Sequence, residues 1–167
     1  AAWDGQHSVD SDKWVSLSAD GTIVAIAAEG NDGNGADSGH VRIHQWDGSA
    51  WNQLGDDLDG EAEGDRFGRS VSLSNDGTIV AIGGAANDGN GSNSGHTRVY
   101  QWDGSTWNQL GNDIDGEAAA DAFGTNVSIS GDGTVVAIGA DGNDATGSNA
   151  GHTRIYQWDG SQWNQLG

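Results

Sequence analysis

Carboxylates at alternating positions are the residues most able to do chemistry in this sequence. Asp57, Asp59, Glu61, Glu63 and Asp65 occupy positions 1, 3, 5, 7 and 9 of one stretch, and Asp113, Asp115, Glu117 and Asp121 occupy positions 1, 3, 5 and 9 of a second. A hard divalent cation such as Ca²⁺ takes six to eight oxygen ligands, and alternate positions in a tight loop can wrap oxygens around one ion. The competing reading is an Asx turn with solvated carboxylates. The glycines Gly60 and Gly116 fall at position 4 of each stretch.

Two further sets recur in register with these acids. Trp46, Trp102 and Trp158 each stand before an Asp-Gly-Ser turn, and Trp51, Trp107 and Trp163 each stand after it. An indole face stacks on the CH face of a sugar, and Arg42, Arg98 and Arg154 could read hydroxyls beside it. The same aromatic pairs serve equally well as packing, since they can meet across a hairpin. His40, His96 and His152 open the segments that carry these arginines. One histidine at a strand start is expected to bond a loop backbone, and the arginines to pair with the linker acids or stack on tryptophan. Catalysis has little support. No G-x-S-x-G or H-E-x-x-H element occurs, and the carboxylates recur per unit, where a glycosidase needs one dedicated pair.

The elements that position these residues repeat. His40, His96 and His152 are 56 positions apart, and three periods account for the 167-residue chain but for one position. The units are read as residues 1–55, 56–111 and 112–167. In the second, Ser70–Ser74 alternates small polar and apolar residues, Asn75-Asp76-Gly77 is a turn, and Thr78–Ile82 is a continuous apolar run. A Gly/Asn loop leads to His96–Trp102, and a second turn leads to Thr106–Leu110. The third unit copies this with Asn126–Ser130, Thr134–Ile138, His152–Trp158 and Gln162–Leu166. The first gives Val15–Ser18, Thr22–Ile26, His40–Trp46 and Ala50–Leu54, after an atypical start with Trp3, His7 and Ser11-Asp12. Four short antiparallel strands at this period, with Trp and Gly at fixed phase, predict an all-β chain of β-propeller blades.

Phe67-Gly68 and Phe123-Gly124, followed by Ala81-Ile82-Gly83-Gly84-Ala85 and Ala137-Ile138-Gly139-Ala140, resemble FG-GAP repeats, although the proline of that motif is absent. The resemblance covers nearly the whole chain. It implies the propellers of integrin α-subunits and of secreted or surface bacterial proteins: an exported, non-enzymatic module with a structural or adhesive role. Calcium loops of such propellers use a similar 1-3-5-9 acidic spacing. A lectin using the tryptophan hairpins is the alternative function, and an excised or engineered propeller fragment is the third.

Composition narrows the partners. Six basic residues face 25 acidic ones, a formal charge of −19, and that field repels polyanions, so nucleic acid and anionic membranes are not expected partners. No cysteine is present, so neither disulfides nor thiolate sites arise. No apolar run reaches a membrane span. The absence of Met at position 1 suggests a processed, excised or engineered chain. Propellers close with about 4–8 blades, so three blades leave two faces bare. A two-fold homodimer with six blades is the favoured closure, over a longer polypeptide or head-to-tail polymerisation. A glycan or a surface protein is the other partner considered.

Overall fold

The computed structural model describes residues 14–145 and 147–167. Trp3, His7 and Ser11-Asp12 lie outside them. Fourteen strands and no helix occur among the described residues: β1 (Trp14–Leu17), β2 (Ile23–Ala28), β3 (His40–Trp46), β4 (Trp51–Gln53), β5 (Leu58–Asp59), β6 (Phe67–Leu73), β7 (Ile79–Gly84), β8 (His96–Trp102), β9 (Trp107–Gln109), β10 (Ile114–Asp115), β11 (Phe123–Ile129), β12 (Val135–Ala140), β13 (His152–Trp158) and β14 (Trp163–Gln165). They form three four-stranded antiparallel meanders, β1-β2-β3-β4, β6-β7-β8-β9 and β11-β12-β13-β14. The short β5 pairs with β3, and β10 with β8, so each linker begins as an extra pair on the preceding sheet.

The turns form where the sequence places them. After β6, the Asp76 carboxylate accepts bonds from the Ser74 hydroxyl at 2.7 Å and the Thr78 amide at 3.0 Å, while Gly77 supplies φ +71°. The outer hairpin repeats the device: Asp103 accepts from the Ser105 and Thr106 amides, with Gly104 at φ +101°. These exposed carboxylates are held below the ordinary range by the amide and hydroxyl donors around them.

The cores lie between sheets. One cluster joins Ile23, Ala25, Ala27, Val41 and Ile43 of the first sheet to Phe67, Leu73, Val80 and Ile82 of the second. The other joins Ala81, Val99 and Ile114 to Phe123, Ile129, Val136, Ile138 and Ala140. A sheet that buries its apolar residues only against its neighbour is not an independent folding unit. Strands β6 and β11 start three residues earlier than the alternating pattern predicts. A bulge between Phe67 and Ser70, repeated between Phe123 and Asn126, carries them back to the Phe-Gly pair.

Candidate functional site at the blade seams

Each linker begins paired with the third strand of the sheet it leaves. Gly60 donates its amide to the Gly39 carbonyl at 2.9 Å. A Cβ on Gly60 would sit 2.0 Å from the Ser38 carbonyl oxygen, and one on Gly116 would sit 2.1 Å from that of Ser94. Close backbone approach therefore accounts for glycine at position 4.

That path disperses the alternating carboxylates among different partners. Asp57 takes the Arg42 guanidinium side-on, with Nε at 3.0 and 2.9 Å from its two oxygens and Nη2 at 2.8 Å, and also accepts from Gln53 at 2.7 Å. Asp113 repeats this with Arg98 at 2.9 and 2.7 Å and Gln109 at 2.7 Å. Glu61 reaches forward to Arg98 on the next sheet, and Glu117 reaches to Arg154. Asp65 and Asp121 are buried and cap their own loops, accepting from the Ala62 and Ala118 amides at 3.0 and 3.1 Å. The arginines thus pair with linker acids, one of the two partners the sequence offers them. His96 differs from expectation: its Nδ1 faces Asp113 Oδ2 at 3.4 Å instead of a loop backbone, and its ring packs edge-on against Phe67.

The electrostatics follow from these pairings. Burial alone would raise Asp113, but the His96 ring nitrogen facing it and hydrogen bonds from Arg98 and Gln109 outweigh it and hold the carboxyl well below the usual range. Burial would likewise lower Arg98, and bonds to Asp113 and Glu61 hold it above its ordinary value. Asp59 and Asp115 shift the other way. Desolvation, then the adjacent charge of Asp57 or Asp113, pushes each carboxyl up.

Among the described residues two groups could hold a cation: His40, Asp57 and Asp59, and Glu61, His96 and Asp113, with ligand atoms within 4.8 Å of one another in each. Neither gathers the full 1-3-5-9 set. Each offers a ring nitrogen and two carboxylates; Asp57 in the first is already bonded to Arg42, and both Glu61 and Asp113 in the second to Arg98, so the oxygen-rich shell that Ca²⁺ takes would need water to complete it.

The tryptophans meet in pairs across each outer hairpin. Trp46–Trp51, Trp102–Trp107 and Trp158–Trp163 have ring centroids 5.7, 5.4 and 5.4 Å apart, tilted by 45–50°. The second and third pairs lie on the sheet before them. Trp107 Nε1 donates to the Leu54 carbonyl and Trp163 Nε1 to the Leu110 carbonyl, both at 2.9 Å. A Cβ on Gly55 would be 2.9 Å from Trp102 Cζ3, and one on Gly111 would be 2.8 Å from Trp158 Cζ3. Both indole pairs are therefore committed to a seam.

The alternating pattern gave no sign of what the Phe-Gly pairs do. Phe123 is buried, its amide donates to the Ser94 carbonyl at 2.9 Å, and it bridges in parallel to Gly95. Phe67 makes the same bond to Ser38, at 3.0 Å, and the same bridge to Gly39. Gly68 and Gly124, at φ +88° and +93°, let the chain lie against the backbone of the preceding third strand. The signal was present in the motif, since a glycine after a large apolar residue marks a bulge or a close approach.

The comparisons agree with this architecture. Among solved structures the chain is similar to a Bacteroides fragilis protein whose 6-phosphogluconolactonase assignment is itself provisional. The TM-score is 0.64 at 10% identity, covering 95% of this chain and 38% of that one. It is also similar to Saccharomyces cerevisiae Sqt1 (0.60, 15% identity, 98% and 36%) and to the β-propeller domain of the Trilobed protease from Pyrococcus furiosus (0.53, 10%, 93% and 43%). At these identities the likeness shows the fold alone. The chain spans about two fifths of the length of those structures. No curated protein sequence matches it. The FG-GAP repeat family matches residues 58–100 and 114–156, which together make up half of the chain. With Phe67-Gly68 and Phe123-Gly124 plugging the two seams of propeller-type sheets, the chain belongs to the FG-GAP repeat family.

Proposed function

We propose that these three blades are a sector of a non-enzymatic, exported β-propeller with a structural or adhesive role, and that the sector self-associates through its two end faces. The observation that carries this is the contrast between covered and bare copies of the same residue. Leu73 and Ile129 on the leading faces of the second and third blades are 7% and 8% exposed, whereas Leu17 at the equivalent place on the first is 58% exposed. On the trailing faces, Ile43 and Val99 are 2% and 1% exposed, whereas Ile155 is 43% and Leu166 is 49% exposed. The two bare surfaces are the two halves of one seam. A second copy of the chain brings the matching half, and two copies give the six blades that close a ring.

Polar groups support the same match. Leu73 N donates to Ser16 Oγ at 3.0 Å and Ile129 N to Ser72 Oγ at 3.1 Å, so Ser128 is the next acceptor in the series. The exported setting rests on the family. No helix among the described residues is long and apolar enough to cross a membrane. Calcium enters as a stabiliser at the two histidine–carboxylate groups; in the first, the raised Asp59 carboxyl beside Asp57 marks like charges that a cation would relieve. Sugar binding finds less support, because two of the three tryptophan pairs are used in packing.

Native mass spectrometry at micromolar concentration tests the association. A dimer that persists in Leu110→Ala but is lost in Leu166→Asp supports it, and a monodisperse monomer overturns it.

A further inference from the structure

The third blade has an open notch of about 360 Å³ on its trailing side, lined by Asn126, Gly139, Ala140, Asp141, Gly151 and His152, with Ala150 and Thr153 at its edge. Moved back by one 56-residue period, these are Ser70, Gly83, Gly84, Ala85, Gly95 and His96, with Ser94 and Thr97. In the second blade those residues hold Phe123-Gly124. Phe123 N bonds Ser94 O at 2.9 Å, Gly95 bridges to Phe123, and Ser70 Oγ donates to the Gly124 carbonyl at 2.7 Å. A Cβ on Gly83 would lie 1.9 Å from that same carbonyl oxygen. The first blade holds Phe67-Gly68 alike, through Ser38, Gly39, His40 and Ala27.

We infer that the notch of the third blade is a seat for an extended strand carrying Phe-Gly, donated by another blade of the same repeat type. This rests on the reading that like blades cover the end faces, and it names the strand that makes the contact. The recognition is mostly main-chain. In the filled seats the incoming segment donates a ladder of amides to the loop before the third strand: Ala120 N to Ser92 O at 2.8 Å, Ala122 N to Asn93 O at 3.1 Å and Phe123 N to Ser94 O. The corresponding carbonyls of the third blade belong to Ser148, Asn149 and Ala150. Specificity comes from the phenyl pocket and from the glycine, whose carbonyl must pass Gly139. Asn126, standing where Ser70 does, places an amide donor beside that carbonyl.

The seat discriminates between blades. The first repeat of this chain carries Ser11-Asp12 where the other two carry Phe-Gly. Serine lacks the phenyl ring, and aspartate the bare Cα, that the filled seats take from Phe123 and Gly124. A second copy closing the ring through its first blade therefore covers the outer apolar face and fills the notch poorly. A Phe-Gly strand is the better occupant.

The test adds a synthetic peptide of residues 117–130 to the full chain and reads complexes by native mass spectrometry and by fluorescence anisotropy of the labelled peptide. One peptide per chain is expected. A peptide with Phe123→Ala should bind at least tenfold more weakly. Gly139→Leu should fill the notch and abolish binding while the chain keeps its melting temperature, since a Cβ at Gly139 meets nothing nearer than 3.6 Å. Absence of a complex at several hundred micromolar peptide overturns the assignment, as does equal binding of the Phe123→Ala peptide or by the Gly139→Leu chain. The chain–chain dimer gives its own mass peak, so its presence or absence is read separately from that of the peptide complex.

Discussion

Glu61 and Arg98 meet across the first seam, from a linker leaving one sheet to the third strand of the next. The pair is asymmetric. Arg98 is mostly buried and also grips Asp113 on its own blade, whereas Glu61 is half exposed. An ion pair with one solvated partner contributes about 0–1 kcal/mol, so Glu61→Gln should lower the stability by no more than that. Arg98→Ala removes two charge-assisted bonds from Asp113 and strands its carboxylate beside His96. At about 1.5–3 kcal/mol for bonds to a charged group, the loss should clearly exceed that of Glu61→Gln. Urea denaturation of the two variants measures both. Equal losses would mean that the seam contact, not the Asp113 pairing, is what Arg98 is there for.

Gly83 and Gly139 hold the same place in successive blades and differ only in what faces them. The Gly124 backbone closes over Gly83, whereas Gly139 opens onto the notch. Gly83→Ala forces two backbones apart and should cost at least the 1–3 kcal/mol typical of overpacking. Gly139→Ala makes only ordinary contacts with Asn126, none nearer than 3.6 Å, and reduced freedom of the unfolded chain should leave it neutral or more stable by about 0.4–1 kcal/mol. For a chain of this size 1 kcal/mol moves Tm by about 2–4 °C, so thermal melts resolve the opposite signs.

The same contrast shows what the sequence could and could not disclose. The hairpins were legible because turn chemistry is local: Asp76 and Gly77, or Asp103 and Gly104, act within a few residues of one another. The third strands, His40–Trp46, His96–Trp102 and His152–Trp158, were read to the residue for the same reason. That the arginines could pair with linker acids was legible; which acid meets which arginine was not. Asp113 finds Arg98 at a separation of 15 residues, and Glu61 finds it on a different sheet. Alternate spacing brings carboxylates near each other only if the linker curls around them, and Gly60 instead lets it pass close against the Ser38 carbonyl. The Phe-Gly pairs identified the family, but their role as plugs depends on a neighbouring blade, which no single repeat contains.

Leu17 and Leu73 separate folding from association. Leu73 is part of the first inter-sheet core. Leu73→Asp buries an unpaired carboxylate there and should unfold the chain or cost several kcal/mol. Leu17→Asp places the charge on a bare face and should leave the melt within about 0.5 kcal/mol of the parent, as surface changes usually do. Its effect should appear instead in the mass, as a shift from dimer to monomer. A Leu17→Asp chain that still dimerises would place the contact elsewhere.

Asp115 gives the pH dependence its sign. Its carboxyl is pushed up by desolvation and by the charge of Asp113. A carboxyl raised in the folded state favours folding when protonated. Its contribution is fully present below the unfolded carboxylate value near 4 and is lost as pH rises through the higher folded value. At pH 7 Asp115 is therefore a net cost, and Asp115→Asn should melt at a higher temperature than the parent, the gap closing as pH falls toward 3. Asp113 runs oppositely: its stabilisation exists above the unfolded value and disappears as acid protonates it out of the grip of Arg98 and Gln109. Asp113→Asn should accordingly be less stable than the parent at pH 7 and approach it at low pH. Melting curves of the two variants between pH 3 and 7 should thus diverge from the parent in opposite directions as pH rises. A pair of curves moving the same way would show that the two carboxylates share a common bound cation or proton, and not the separate environments described for them.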